Sequence, residues 1–299
     1  MLIKMEDDKL TSYRKAGEIA RTVRDCSRPM VTPGVKILDL AEKIESMIKK
    51  EGGELAFPTN ICINDVTAHY TPKYNDETVL GEKDVVSVDL GVHINGFIAD
   101  TAYTVDLSGE YSTLLEANEK ALENAISLIK KGVSVSAVGE IVQSTLNKAG
   151  FKPVENLTGH EVQQYNLHAG FSVPNIKVPF DWPLEEDMVL AIEPFATNGC
   201  GRVVESKQAE IFSLITPKPT RLREARILLT EIAGRRELPF AQRWYCQKIN
   251  PLKLNLALKE LVLREAIKAY PTLHEKERGI VSQFEHTVVV TSDGCELLT

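Results

Sequence analysis

The sequence predicts an α+β protein built around one antiparallel hairpin. Residues 85–94 and 97–105 are rich in Val, Ile, Thr and Tyr, and Asn95-Gly96 lies between them. This dipeptide is a strong hairpin signal because both positions tolerate positive φ. Apolar residues at helical spacing form one pair of segments before the hairpin and a second pair after it, and a basic helical segment follows later.

Length and composition indicate an ordinary globular protein. The 299 residues suffice for one large domain or one domain with an insertion. No apolar run approaches the roughly 18 residues of a membrane span. The start, MLIKMEDDKL, has no apolar stretch of the kind that a secretory signal needs, and the five scattered cysteines include no CxxC pair. We therefore expect reduced thiols, no membrane association and a cytoplasmic location.

The charge is unevenly distributed. The net charge is −7, but residues 216–280 contain 14 Lys and Arg against 7 Glu. An acidic body with a basic segment suggests two parts with different surfaces.

The first elements in chain order are two helices and a short strand. Residues 7–31 have helical periodicity, and Arg28-Pro29 should end this helix. A second helix runs from Ile37 to Ile48 before Gly52-Gly53. Ile61 to Ile63 resemble a short strand, so His69 lies on or beside a loop. A lone loop histidine is more often a surface residue than a catalytic one.

The predicted hairpin sets a register. If Ile94 pairs with Phe97, Asp89 faces Ala102, and Asp100 lies two residues away on the same face. The two carboxylates are then diagonal neighbours about 7–8 Å apart. Such aspartates are usually solvated, but these strands are apolar enough to be central. The alternative to solvation is a cation bound between the two carboxylates.

Further polar residues occur in the second half. Helices predicted at 114–130 and 135–149 precede His160 and His168, whose even spacing would place both on one side of a strand or extended loop. Glu193 follows the apolar strand 188–192, where it is either half of a buried ion pair or a ligand. The helix pairs of the two halves suggest an internal duplication, although we see no sequence identity between them.

The segment from Ile215 to Gly279 looks like a basic helical insertion, with helices predicted at 225–232 and 254–267. Strand character returns at 284–291, and Asp293-Gly294 predicts a turn into 295–298. Glu285 lies in this strand beside Phe284.

Taken together, the unusual polar residues include four carboxylates and one imidazole. They are Asp89, Asp100, His160, Glu193 and Glu285, with His69 and His168 as further candidates. This hard, oxygen-rich set suits two adjacent divalent ions of the manganese, iron, cobalt or zinc group. The absence of cysteine from the set argues against a structural zinc site.

These residues and the segments around them resemble the pita-bread metallopeptidases. Among these, the chain is similar over nearly its whole length to the type II methionine aminopeptidases of the archaeal kind. The matching segments are AFPTNICIN, AHYTP, VDLGVHINGFIADTAYTV, NLTGH, LHAG, AIEPFATNGCG, LPFAQRW and QFEHTVVV.

The resemblance implies a pita-bread (creatinase/aminopeptidase) fold. This fold has pseudo-twofold halves and a curved antiparallel sheet flanked by helices, with a helical, winged-helix-like insertion added in type II members. It divides the chain into a catalytic part, residues 1–196 and 278–299, and an insertion, residues 197–277.

The resemblance also implies a metal site with two divalent ions: cobalt, manganese, iron(II), zinc or nickel. Asp89 would bind one ion, and His160 and Glu193 the other. Asp100 and Glu285 would bridge both ions.

Catalytic and substrate-binding roles follow from the same resemblance. Glu193 would act as general acid/base and His168 would hydrogen-bond the scissile peptide unit. His69 would help line the site, while Phe57 and Leu167 would line the apolar pocket for the initiator methionine.

The implied function is removal of the initiator methionine from nascent or newly made proteins, by hydrolysis through a metal-bridging water or hydroxide in a monomeric enzyme. One alternative is an X-Pro dipeptidase or aminopeptidase on the same fold. A second is a nonenzymatic, RNA- or ribosome-binding relative. The basic insertion either docks near ribosomal RNA through salt-sensitive phosphate contacts or is simply an exposed helical face.

Overall fold

The computed structural model describes residues 5–299, so the first four residues of the predicted catalytic part, and of the acidic start, lie outside it. The described chain has the predicted α+β character. Its helices are α1 (Asp7–Ser27), α2 (Ile37–Lys50), α3 (Ser112–Leu128), α4 (Val135–Lys148), α5 (Arg223–Ile232) and α6 (Pro251–Leu263). Its strands are β1 (Glu54–Leu55), β2 (Asn60–Ile63), β3 (Val66–Ala68), β4 (Val85–Ile94), β5 (Phe97–Asp106), β6 (Lys152–Pro153), β7 (Thr158–Glu161), β8 (Ser172–Pro174), β9 (Val189–Ile192), β10 (Phe195–Thr197), β11 (Val203–Leu214), β12 (Phe240–Ala241), β13 (Ile267–Glu275), β14 (Val281–Gln283), β15 (Glu285–Val290) and β16 (Cys295–Leu297).

The helix ends follow local sequence signals. A single 3₁₀ turn, Arg28–Met30, follows α1 at the predicted proline. Helix α2 stops just before Gly52, whose φ of 85° only glycine adopts without strain. Helix α4 begins after Ser134, whose hydroxyl accepts a hydrogen bond from the amide of Ser136.

A nine-stranded sheet forms the centre of the molecule. Its main order is β1-β4-β5-β15-β9-β7-β8, with β2 also paired to β4 and β16 to β15. The β4–β5 register is the predicted one: Ile94 pairs with Phe97 and Asp89 with Ala102. The Asn-Gly turn is sufficient to fix this register because it is local and both its residues have positive φ.

The main core lies between one face of this sheet and helices α1 to α4. Val86, Val88, Leu90 and Val92 of β4 point into it. Since alternate residues of a strand point to opposite faces, Asp89 and Gly91 lie on the other face. The candidate site is on that second face.

The predicted insertion is not purely helical, which corrects the sequence interpretation. Helix α6 ends at Leu263 rather than at 267, and the chain then enters the nine-residue strand β13. A four-stranded sheet of order β12-β11-β13-β3 forms here, and β3 comes from the first part of the chain. The prediction failed because β11 and β13 pair across more than fifty residues and their register is interrupted by bulges, so neither strand shows a clean local alternation.

A separate hydrophobic cluster supports the proposed division at residues 197–277. All of its buried members lie between Phe212 and Ile267. We keep this division as a proposal. Within residues 5–299, no helix has both the length and the apolar character needed to cross a membrane.

Candidate metal centre

Three neighbouring strands place three carboxylates on one face of the large sheet. Asp89 on β4 and Glu285 on β15 both pair with Ala102 of β5, so all three positions form one row across the sheet. Asp100 lies two residues along β5 from Ala102 and opposite Gly91. Its side chain therefore points to the same face as those of Asp89 and Glu285.

The second half of the sheet completes the group. His160 on β7 pairs with Ala191 of β9, and Glu193 follows the end of β9. The His160 Nε2 atom lies 3.6 Å from Glu193 Oε1 and 3.8 Å from Asp100 Oδ2. One atom each of Asp100, His160 and Glu285 lies within 4.8 Å of the others.

The tautomer of His160 follows from its hydrogen bond. Nδ1 lies 3.4 Å from the carbonyl oxygen of Glu161, which can only accept, so Nδ1 carries the proton. Burial lowers the pKa of His160 to about 4, so the ring is neutral near pH 7. Nε2 therefore presents a lone pair to two carboxylates. Lone pairs facing one another in this way call for a cation between them.

The pKa shifts of the carboxylates also indicate that this group requires a cation. Burial raises the pKa of Asp89 to about 7, and burial together with the neighbouring carboxylates raises the pKa of Asp100, Glu193 and Glu285 well above its usual range. Among the described residues, Asp89 Oδ1 and Asp100 Oδ1 are buried without a hydrogen-bond partner. Divalent ions would supply the missing partners and keep these groups ionised, so the donor set fits the metal that the sequence predicted.

Two further histidines line the same site. The ring centroid of His168 is 4.5 Å from that of His160, and His69 packs edge-on against Tyr270 at 5.5 Å. His69 Nδ1 donates to the carbonyl of Pro271 at 3.3 Å, so its Nε2 is an acceptor when the ring is neutral. Burial lowers the pKa of His69 to about 4. His69 follows β3 directly, with a positive φ of 60°.

A cavity of about 240 Å³ adjoins the carboxylates. All nine residues that the sequence singled out line it: Phe57, His69, Asp89, Asp100, His160, Leu167, His168, Glu193 and Glu285. Phe57 and Leu167 belong to one buried hydrophobic cluster and form an apolar wall. The Phe57 ring occupies the space over Gly91, where a Cβ would lie 2.2 Å from Phe57 Cε1.

Several residues that line this cavity are not among the predicted site residues, including Asn60, Pro239, Tyr270 and Gln283. Gln283 Nε2 lies 3.4 Å from Asp89 Oδ2 and 3.5 Å from carboxylate oxygens of Glu193 and Glu285. Its even spacing from Glu285 was an available signal. Pro239 and Tyr270 gave none, since they reach the site only through the folding of the insertion.

Known proteins resemble this chain over nearly its whole length. The sequence profile described as Metallopeptidase family M24 matches residues 11–292. The methionine aminopeptidase of Pyrococcus horikoshii is 46% identical over 297 residues, covering 99% of this chain and 100% of that protein. The methionine aminopeptidase of Methanocaldococcus jannaschii is 42% identical, covering 99% of this chain and 100% of its own.

Solved structures show the same fold at low sequence identity. The methionine aminopeptidase of Thermotoga maritima superposes with a TM-score of 0.74 at 22% identity, covering 100% of this chain and 99% of that one. A thermophilic Arx1 gives a TM-score of 0.86 at 16% identity, covering 98% of this chain and 91% of that one. The fold is therefore the pita-bread fold that the sequence predicted, and this chain belongs to Metallopeptidase family M24.

Proposed function

We infer that this chain is a methionine aminopeptidase of the archaeal type II kind, which hydrolyses the initiator methionine from the N-terminus of new proteins. The observation that carries this conclusion is the 46% identity to a methionine aminopeptidase over the full length of both chains. A cluster of metal-type ligands beside a small apolar cavity supports it.

We propose that two divalent ions bind this cluster. Asp89 would hold one, His160 and Glu193 would hold the other, and Asp100 and Glu285 would be shared by both. When bound, such ions lower the pKa of a water molecule and polarise the scissile carbonyl group. Cobalt, manganese, iron(II), zinc and nickel all suit a donor set of carboxylates and imidazole, so availability decides among them.

The remaining roles belong to side chains of this protein. Phe57 and Leu167 bury the methionine side chain, whose flexible thioether adapts to aromatic and aliphatic walls. Glu193 takes a proton from the attacking water and transfers it to the leaving amine nitrogen as the peptide C–N bond breaks. His168 and His69, at the edge of the cavity, hydrogen-bond the peptide unit and orient its carbonyl carbon toward the water.

The direct test is release of methionine from the peptide Met-Ala-Ser. Protein stripped with a chelator should be inactive and should recover on addition of a single divalent metal. Glu285→Ala should lose nearly all activity and tight binding of at least one ion, measured by titration calorimetry. Full turnover by metal-stripped Glu285→Ala protein would contradict the assignment.

Two other functions fit the same fold. An X-Pro peptidase would cleave Ala-Pro rather than Met-Ala-Ser peptides, so this pair of substrates separates the two activities. A nonenzymatic RNA- or ribosome-binding relative would need no metal ligands. The assembled donor set, with two buried carboxylate oxygens lacking a partner, favours the enzyme.

We also propose that the enzyme is a cytoplasmic monomer and that its basic insertion docks near ribosomal RNA. The structure narrows the residues available for docking. Arg221 and Arg226 are exposed, whereas Arg243 is buried against Glu45 and Arg235 hydrogen-bonds backbone carbonyls of its own chain. Charge reversal at Arg221 and Arg226 should therefore reduce co-sedimentation with ribosomes at low salt, and unchanged co-sedimentation would exclude docking through this surface.

A further inference from the structure

A short segment of the insertion, residues 235–239, reaches the apolar cavity and is called the strap below. It follows α5 and precedes β12. Leu238 of the strap is 1% exposed and belongs to the same hydrophobic cluster as Phe57 and Leu167. Pro239 lines the cavity itself. The strap therefore forms part of the cavity wall through Pro239.

Arg235 ties the strap to the body of the protein. Its Nη2 atom lies 2.9 Å from the carbonyl oxygen of Leu55, 3.2 Å from that of Ala56 and 2.7 Å from that of Pro239, so its two hydrogens are shared among three acceptors. Its Nε atom also donates to Pro239, at 3.2 Å, and its guanidinium carbon lies 5.0 Å from the ring centroid of Trp244. Ala56 immediately precedes Phe57. One guanidinium thus connects the backbone beside Phe57 with the backbone of Pro239.

The next residue, Arg236, contacts Tyr165, which packs against the same hydrophobic cluster. Arg236 stacks over the ring of Tyr165 at 4.1 Å, and the Tyr165 amide donates to the carbonyl of Gly96 at 2.8 Å. Tyr165 is two residues before Leu167, the second apolar residue of the cavity. Arg236 has φ 54° and ψ −120°, an arrangement that costs energy for any residue with a Cβ. This strained residue lies in the strap between Arg235 and Pro239, and such strain persists only where the surrounding contacts hold it.

We propose that Arg235 is a positioning residue that sets the width of the pocket for the first side chain of the substrate. It does so by holding Pro239 and Leu238 at a fixed distance from Phe57, and Arg236 supports the same hydrophobic cluster through Tyr165. The proposal rests on the proposed function, because the occupant of the pocket is taken to be the methionine side chain. It adds a determinant outside the metal ligands and outside the residues that touch the substrate.

The chemistry of arginine suits this role. Three carbonyl oxygens lie within reach of one planar fork of N–H donors, and a guanidinium remains charged in a half-buried setting. A lysine ammonium at the same position would lack the planar fork. It has a single nitrogen, so it could not replace the bonds that Arg235 makes through both Nε and Nη2. A substitution that only weakened the fold would reduce the amount of active enzyme, whereas loss of positioning would change which side chains the pocket accepts.

The test compares Arg235→Met and Arg235→Lys with Arg226→Met, which removes a charge from an exposed position of the same insertion. Each metal-loaded enzyme is assayed with Met-Ala-Ser, norleucine-Ala-Ser and Leu-Ala-Ser. For Arg235→Met we expect KM for Met-Ala-Ser to rise about tenfold, because the free energy of one charge-assisted hydrogen bond corresponds to roughly that factor in an equilibrium constant. The kcat should stay within about threefold of wild type. The preference for the linear side chains over the branched leucine should fall by about fivefold. Arg235→Lys should lie between Arg235→Met and wild type, and Arg226→Met should match wild type.

The possible results distinguish failure of the proposed function from failure of the positioning role of Arg235. Wild-type protein that releases no methionine under any metal contradicts the proposed function. Active wild type together with an Arg235→Met enzyme of unchanged KM and unchanged linear-to-branched preference overturns the positioning role alone. A fall in kcat with the same preference also overturns it, since that is the result of a purely structural contact. If Arg235→Met does not fold, as judged by circular dichroism, the same measurements on Arg235→Lys decide.

Discussion

Replacing Gly91 by alanine should narrow the proposed methionine pocket without replacing a proposed metal ligand. A Cβ at this position would lie 2.2 Å from Phe57 Cε1 and 2.5 Å from Phe57 Cδ1, where ordinary contacts are at least 3.4 Å. The Phe57 ring must therefore move by roughly 1–1.5 Å, and the sheet beneath Gly91 directs that movement toward the cavity. Overpacking of this kind costs about 1–3 kcal/mol.

If this cost reduces the free energy of substrate binding, KM for Met-Ala-Ser should rise between about fivefold and 150-fold, because 1.4 kcal/mol corresponds to a factor of ten. Initial rates over a range of peptide concentrations give KM, and titration calorimetry gives metal affinity, which should stay at the wild-type value. Gly294→Ala is the matched control, since a Cβ there would meet only Thr291 Oγ1, at 3.9 Å. Wild-type KM in correctly folded Gly91→Ala protein would refute the placement of Phe57 as a wall of the substrate pocket.

Three more predictions concern the metal centre and the attachment of the insertion. Asp100→Ala should lose more bound metal per chain than Asp89→Ala, because Asp100 is the proposed shared ligand; elemental analysis after dialysis measures this, and equal losses would contradict the proposed bridging role. In metal-stripped protein the pKa of Asp89 is about 7 in the folded chain and about 3.9 in an unfolded one, so the folded chain holds a proton that the unfolded chain releases. Asp89 therefore contributes stability that is lost as pH rises from about 4 to about 7, whereas His69 and His160, whose pKa burial lowers to about 4, contribute in the opposite direction. The Tm of the metal-stripped wild type should accordingly fall relative to that of Asp89→Asn over this range; a constant difference between the two proteins would show that Asp89 ionises freely without metal. Arg243→Met should cost about 3–5 kcal/mol in urea unfolding by leaving Glu45 buried without its partner, and the double variant with Glu45→Gln should recover part of that loss.

Local signals account for what the sequence predicted correctly about the fold. The Asn95-Gly96 turn and the alternation of β4 and β5 were enough to place Asp89 opposite Ala102, because a two-residue turn leaves one register. Likewise, the proline after α1 and the glycine after α2 fixed the ends of those helices. These features depend only on residues near one another in the sequence.

Features that depend on distant residues were missed. Strand β13 was taken for the end of a helix, since its pairing with β11 and with β3 involves partners far away in the chain. For the same reason nothing in the sequence indicated that Pro239 lines the cavity or that Arg235 hydrogen-bonds its carbonyl oxygen. The five proposed ligands were found because an acid or histidine in apolar company is unusual wherever its partners lie. Their assembly into one group needed both halves of the sheet.

The position of β15 has a consequence for how the enzyme forms. This strand, which carries Glu285, lies between β5 and β9 and pairs with both, at sequence separations of up to about 180 residues. A growing chain therefore presents two open strand edges until residue 285 is available to join them. Closing so long a loop is slow, and open edges bind other chains readily. The active centre thus matures in a late, slow step, and a maturing chain should need protection from aggregation until that step is complete.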